Sequence, residues 1–447
     1  MPRTVKDTTP PLAAELNEVI TRENAEVFAM LSELGRRLYF PKGILAQAAE
    51  AKEKATRFDA TIGIAREKGK AMFLPSVMQY FPALAPGETL TYAPATGQPA
   101  LRKQWRELLL TKNPSLAGKS FSTPIVTSGV THALSLAGDL FLDKRDTLLL
   151  PDKYWENYDL LFSVRFQARI ATYSFFNRAG GFNVQALARA LARRPAGAKT
   201  VLILNFPNNP TGYSIRKEEA DAVVATLVAA AEGGQRLVVI TDDAYFGLFY
   251  EEAALHESLF ARLAGAHPRL LAVKVDGPTK EQFVWGFRTG MLTFSAVAAN
   301  DPAALYGALE KKVAGAIRSA ISNCSQPAQT VLSKAIASQA MPQEQAEKRA
   351  ILEARARRTQ EILASREFAD VWTPYPFNAG YFMCLRMKKV GAEAFRKHLL
   401  EAHGIGVIAE GETDIRVAFS AVEEDDLPEL FATMARAARE MGEGTES

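Results

Sequence analysis

The sequence predicts an α/β protein: a three-layer α/β/α large domain on a mostly parallel sheet, plus a smaller α+β domain. Three observations carry this. The chain has 447 residues, more than one ordinary hydrophobic core accommodates. Between about 100 and 300, short β-rich runs alternate with helical ones, the pattern of a parallel sheet covered by helices. After Gln343 the composition changes to a long charged helix followed by an α+β segment.

The elements follow in order. Residues 12–56 are charged and amphipathic with helical spacing, broken at PKG. Seven runs read as strands: STPIVTSG, DTLLLP, ARIATYSF, KTVLILNFP, RLVVITDD, RLLAVKVDG and MLTFSA. Between them lie helical patterns such as HALSLAGDLFL and RKEEADAVVATLVAAAEG. Beyond the helix QEQAEKRAILEARARRTQEILA, strands are expected near AGYFMCLRM and DIRVAFS. The predicted domains are 75–342 (large), 36–74 with 343–447 (small), and 1–35 as an N-terminal arm or lid helix.

Composition narrows the function classes. Hydrophobic residues make up 48 %, yet no run approaches the ~18 apolar residues of a membrane span. The first twenty residues lack the apolar core of a secretory signal. The net charge of +3 is too balanced for a nucleic-acid or membrane-surface binder. Cys324 and Cys384 are the only cysteines, and the five histidines show no ligand spacing. No metal site is predicted, and a reducing cytoplasm is the expected compartment.

In parallel α/β sheets, ligands sit beyond the carboxyl ends of the strands, so the loops that follow each strand hold the candidates. In TSGVTHAL, Ser128, Gly129, Val130 and Thr131 open a helix whose free N–H groups suit an anion; a simple cap is the alternative. PDKYWENY carries three aromatics in a polar loop. PNNPTGYS is a rigid turn. TDDAYFG places Asp242 at a strand end, with Tyr245 three residues on. VDGPTKEQFVWGFRTG puts Lys280 after a strand, among small turn residues, with Arg288 and Gly290 behind it. Lys274, inside the strand run, is the competing lysine. GIGVIA fits a dinucleotide-binding pattern by letters, but it follows a helix and lacks a βαβ frame.

As a set, NNPTG, DDAY and the lysine with an arginine eight residues later resemble the fold type I pyridoxal-phosphate (PLP) enzymes, in particular class I/II aminotransferases of the aspartate aminotransferase kind. The resemblance runs from about 60 to 420. It implies PLP as cofactor and a Schiff base to Lys280, which then shuttles the proton at the substrate α-carbon. It implies that Arg288, Thr279 and the Gly129–Val130–Thr131 turn hold the phosphate, and that Asp242 pairs with the pyridinium nitrogen. Tyr245 and Asn209 then bond the ring oxygen, and Trp155 stacks on the ring, with Tyr154 as the fallback.

It further implies Gly63 as a close backbone approach to the substrate, Arg416 as the α-carboxylate arginine, and Tyr92 as reaching a neighbouring subunit's phosphate. Arg318, four before Ser322-Asn323, implies a second carboxylate on the substrate, as in aspartate or glutamate. The expected assembly is a homodimer with shared active sites, acting on amino acids and 2-oxo acids. Two positions depart from the pattern: Tyr158 stands in place of a histidine and Gly277 in place of a phosphate-binding serine. A PLP lyase would share nearly all of these residues. A PLP-binding regulator is the reading from another class, against which the first 60 residues show no basic helix-turn-helix pattern.

Overall fold

The structure is a computed structural model that describes residues 9–23, 25, 28, 31, 33–39 and 43–443. All seven apolar runs form one sheet: β1 Ile125–Thr127, β2 Thr147–Pro151, β3 Arg169–Tyr173, β4 Lys199–Asn205, β5 Arg236–Asp242, β6 Leu270–Asp276 and β7 Gly290–Ser295. Their spatial order is β1-β7-β6-β5-β4-β2-β3. Six strands run parallel; β7 is antiparallel to both neighbours.

The inner strands read as continuous apolar runs because both faces are covered, whereas the edge strand β3 is mostly exposed. Val201, Ile203, Val238 and Ile240 join one core with Leu134 and Ala137 of helix Val130–Phe141. The alternate residues Leu202, Leu204, Leu237 and Val239 join a second core with Trp105, Val223 and Leu227, which come from helices Pro99–Lys112 and Lys217–Glu232. The period of two along each strand sends successive side chains into opposite layers.

The C-terminal portion builds a four-stranded antiparallel sheet from β8 Trp372–Pro374, β9 Met383–Met387, β10 Ile408–Glu410 and β11 Asp414–Val417, in the order β8-β9-β11-β10. Helices Met341–Ala364, Ala392–His403 and Leu427–Glu443 cover it through Leu352, Phe395, Leu399, Phe431 and Met434. Phe58–Asp59 pairs in parallel with Ile405–Gly406, so an early segment closes on the late one. GIGVIA spans that pairing and the start of β10, outside any βαβ unit. In the N-terminal arm, residues 1–8 and several positions between 24 and 32 lie outside the described residues; helix Pro11–Glu23 is present, and Asn17 donates to Arg36 O at 2.8 Å.

One charged cluster lies inside the large domain. Lys274 on β6 is 1 % exposed; its Nζ donates to Asp243 Oδ2 and lies 3.4 Å from Asp276 Oδ2. Ser258 Oγ donates to Asp243 at 2.6 Å, and Trp105 Nε1 donates to Asp276 at 3.2 Å. Removing the cation leaves two buried carboxylates uncompensated. Lys274→Met is therefore expected to cost about 3–5 kcal/mol, read as a lower midpoint in urea unfolding at unchanged m-value.

Candidate active site

The parallel strands deliver their following loops to one edge of the sheet. From β5 comes Asp242, 2 % exposed. Its Oδ2 accepts from the Tyr158 hydroxyl at 2.5 Å and its Oδ1 from the Ala244 N–H at 3.1 Å. Tyr158 thus fills the position where a histidine was the pattern. Its own pKa is driven far up, by burial first and Asp242 second, so it remains a donor. Burial raises the Asp242 carboxyl, which the Tyr158 and Ala244 hydrogen bonds oppose. Asn205, the last residue of β4, donates through Nδ2 to Asp242 O at 2.8 Å and accepts from the Asn209 N–H at 2.8 Å, linking the two loops.

The two candidate lysines have opposite surroundings. Burial alone would lower Lys274, but the carboxylates of Asp243 and Asp276 outweigh it and hold the amine above its ordinary value. Lys280 follows Gly277-Pro278-Thr279 on a short helical turn, Pro278–Glu281. Its Nζ lies 4.7 Å from the Tyr245 ring centroid, and its carbonyl accepts from the Tyr381 hydroxyl at 3.1 Å. The residue keeps some surface, but its amine is buried. Desolvation lowers it to about 8; Asp242 opposes and the Arg288 charge assists. A buried amine with no ion pair is a nucleophile and base at neutral pH.

The anion end is narrower than the sequence implies. Of the four amides at the helix start, Ser128 N–H is taken by His132 Nδ1 at 3.0 Å and Gly129 N–H by Thr127 O at 2.9 Å. Burial lowers the His132 pKa, which keeps Nδ1 an acceptor. Val130 and Thr131 open the helix, where amides have no in-helix partner. Gly129 has φ +83, and a Cβ there would fall 2.6 Å from an Arg288 guanidinium nitrogen. Arg288 is exposed and, among the described residues, donates only to Trp285 O, at 3.3 Å, so most of its fork is open to an anion. Thr279 is buried beside them. At Gly277 a Cβ would come within 2.9 Å of both Thr289 O and Gly290 Cα. A serine does not fit this backbone, which accounts for that departure.

Arg416 stands on β11, 2 % exposed. It donates to Asn209 Oδ1 at 3.0 Å and to Thr61 O at 3.3 Å, lies 4.3 Å from the Phe382 ring centroid, and leaves Nε without a partner. With Asn209 Oδ1 occupied, its Nδ2 donors remain for a ligand. Gly63 borders this corner; a Cβ there would meet Phe382 only at 3.9 Å, so the protein alone does not demand glycine. Trp155 stands edge-on to Tyr158 with centroids 5.7 Å apart, whereas the Tyr154 hydroxyl is tied to Asp159 at 3.0 Å.

Two expected residues do not join this cluster. Tyr92 is 89 % exposed, and Arg318 is exposed on helix Pro302–Ala320, donating to Ser322 Oγ. Sequence reasoning missed His132, Phe382 and Glu410, none of which carries a local motif; it placed Tyr158 where a histidine stands behind the aspartate, without naming it as a donor. Spacing also failed to pair His398 and His403, which converge on Glu440 at 3.5 and 3.1 Å between two small-domain helices.

Comparison with known proteins places the chain in a family. The pattern of the family "Aminotransferase class I and II" matches residues 61–433. A probable aspartate/prephenate aminotransferase of Aquifex aeolicus is 30 % identical over 171 residues, 38 % of this chain and 40 % of that protein. An aspartate aminotransferase of Geobacillus stearothermophilus is 28 % identical over 205 residues, 44 % of this chain and 47 % of that protein. The chain thus spans under half the length of these curated relatives. An aminotransferase structure from Anaerococcus prevotii superposes with a TM-score of 0.77 at 26 % identity, covering 98 % of this chain and 100 % of that one. A Thermus thermophilus aspartate aminotransferase mutant shares the fold, with a TM-score of 0.73 at 21 % identity over 91 % of this chain and 99 % of that one. The chain belongs to the class I and II aminotransferases.

Proposed function

We propose that this protein is a PLP-dependent aminotransferase, moving an amino group between an amino acid, aspartate or glutamate by preference, and a 2-oxo acid. One observation carries the reading: a desolvated amine at Lys280, with no ion pair among the described residues, lies within electrostatic reach of the buried carboxylate of Asp242. The residues fit the cofactor chemically. Asp242 supplies an anion for a protonated ring nitrogen. The Asn209 Nδ2 and the Tyr245 hydroxyl supply donors for a ring oxygen, and Trp155 an aromatic face. Arg288, the Val130 and Thr131 amides and Thr279 supply donors for a phosphate. PLP, when bound, supplies an electron sink conjugated to the substrate α-carbon.

The chain's own groups do the rest. Lys280 Nζ, free amine in appreciable fraction near pH 7, would anchor the cofactor and, once displaced by the amino donor, take the proton from the substrate α-carbon. Asp242, oriented by Tyr158 and Ala244, would keep a ring nitrogen of the cofactor protonated. Arg416 orients the substrate by its α-carboxylate, a planar fork on a planar anion.

The substrate class and assembly rest on surface features. Leu90 and Tyr92 are 80 % and 89 % exposed, and Phe73, Met78 and Phe81 add to an apolar stretch that fits an interface between copies of this chain. In a homodimer, Tyr92 and Arg318 of one copy would complete the other copy's cleft. The names of the curated relatives favour dicarboxylic substrates.

Mixing holoenzyme with each of twenty amino acids and recording the cofactor spectrum tests the reaction class. Aspartate or glutamate is expected to convert the spectrum and release its 2-oxo acid, and Lys280→Ala to abolish this. Ammonia and pyruvate formed without an oxo-acid acceptor would instead indicate a lyase. Cofactor loading onto apoprotein is expected to accelerate with rising pH through about 8, where Lys280 loses its proton. Gly277→Ser is expected to cost about 1–3 kcal/mol of stability by overpacking and to weaken cofactor retention in dialysis. The wild type is expected to sediment as a dimer. Arg318→Ala should lower kcat/KM for aspartate by roughly 30-fold or more, the loss expected when one member of a buried charge pair is truncated, and leave that for a neutral amino acid within a few-fold.

A further inference from the structure

Beside Arg416 the protein carries a carboxylate of its own. Glu410 Oε1 lies 3.8 Å from Arg416 Nη1. Antiparallel pairing puts Ile408 opposite Arg416 and Glu410 opposite Asp414, so all four side chains share one face of the β10–β11 ribbon. Glu410 Oε1 is buried without a hydrogen-bond partner, and so is Arg416 Nε. Two orphaned atoms of opposite charge thus border one small space, the one in which the substrate's α-carboxylate is proposed to seat.

The other charged groups around Glu410 are already engaged. On its own ribbon, Asp414 pairs with Lys153 Nζ at 2.5 Å and accepts from the Tyr375 hydroxyl at 3.1 Å. In the loop after β2, Glu156 accepts the Ile44 N–H at 3.3 Å. On β9, the buried Cys384 thiol is held protonated, by burial first. On helix Ile44–Lys54, Gln47 is bound to the Ala409 backbone, while Glu50 pairs with Lys54 and Arg396. On helix Ala392–His403, Arg396 also holds Glu393. Among the described residues, Arg416 is the cation left facing Glu410. The neighbourhood then holds two cations, Arg416 and Lys153, against Glu410, Asp414 and Glu156. A further anion would enter a pocket already short of positive charge.

We propose that Glu410 gates the carboxylate subsite: its ionised carboxylate faces Arg416 in the empty site and takes up one solvent proton when a substrate's α-carboxylate seats on that arginine. This rests on the reading of Arg416 as the α-carboxylate residue. The balance is one proton added to one Glu410 oxygen; no other bond changes. Burial, opposed by Arg416, already holds the Glu410 carboxyl at about 7, so a nearby anion has little distance to push it. The sign follows from linkage. The liganded state binds more protons, so carboxylates bind most tightly below about pH 7 and more weakly as pH rises above it.

Glu410→Gln, a neutral near-isostere, tests this. One unit above the free-site value, the wild type should bind a carboxylate about tenfold more weakly than a protonated site would. At pH 8 the variant is therefore expected to show a KM for its amino donor about tenfold lower, with kcat within twofold. A variant KM that is unchanged or raised overturns the proposal, and would make Glu410 a residue that merely orients Arg416. The direct readout is calorimetry of propionate binding to borohydride-reduced holoenzyme, in which Lys280 is a secondary amine alike in both proteins, in two buffers of different protonation enthalpy. At pH 8 the wild type is expected to take up most of one proton more than Glu410→Gln. Absence of uptake in the wild type, or equal uptake in both, overturns the proposal whether or not the variant folds well. Arg416→Lys separates the underlying reading: if it leaves propionate affinity unchanged, the assignment of Arg416 fails, whereas weakened affinity with no Glu410 effect sinks the gate alone.

Discussion

The site depends on keeping one buried amine free of a carboxylate partner. Desolvation lowers a lysine only while no close anion restores its charge. Lys274 and Lys280 lie six residues apart on one segment, yet the sheet gives the first to Asp243 and Asp276 and carries the second past the strand end to the Tyr245 face. Asp242, adjacent in sequence to Asp243, stays off the Lys280 amine because Tyr158 and Ala244 hold its oxygens elsewhere. A single register shift in β5 would exchange the two aspartates between layers, since successive side chains point to opposite faces.

The same economy of partners governs both anion sites. At the helix start, His132 and Thr127 consume two amides and leave the next two with Arg288. At the other end, Asn209 and Thr61 occupy part of the Arg416 fork and aim the remainder. Close backbone packing at Gly277 and Gly290 brings these loops together and leaves no space for a side chain, and a Cβ at Gly129 would meet the Arg288 guanidinium. The glycine at 277, where a serine was the pattern, is thus a packing solution.

Much of this was legible in the sequence because the signals are local. Parallel strands buried on both faces are uninterrupted apolar runs, and all seven were visible. The loops after them carry short motifs whose residue types match one chemistry, so Lys280, Asp242 and Arg288 could be named. Edge elements of the small domain, such as Trp372–Pro374 and Ile408–Glu410, were not legible; they are three residues long and take their conformation from their neighbours. Tyr158 and Asp242 are 84 positions apart, and nothing near either one announces the hydrogen bond.

By itself, then, the amino-acid order determined the layers, the strand sequence and the reactive side chains, since period and motif act over a few residues. Which aspartate lacks an ion pair, which lysine is desolvated without one, which amides are spent, and that a glutamate confronts Arg416 were decided only when the chain folded. Those are questions of distance between segments remote in sequence, and Coulomb and desolvation energies respond to separation and burial, which linear spacing does not encode.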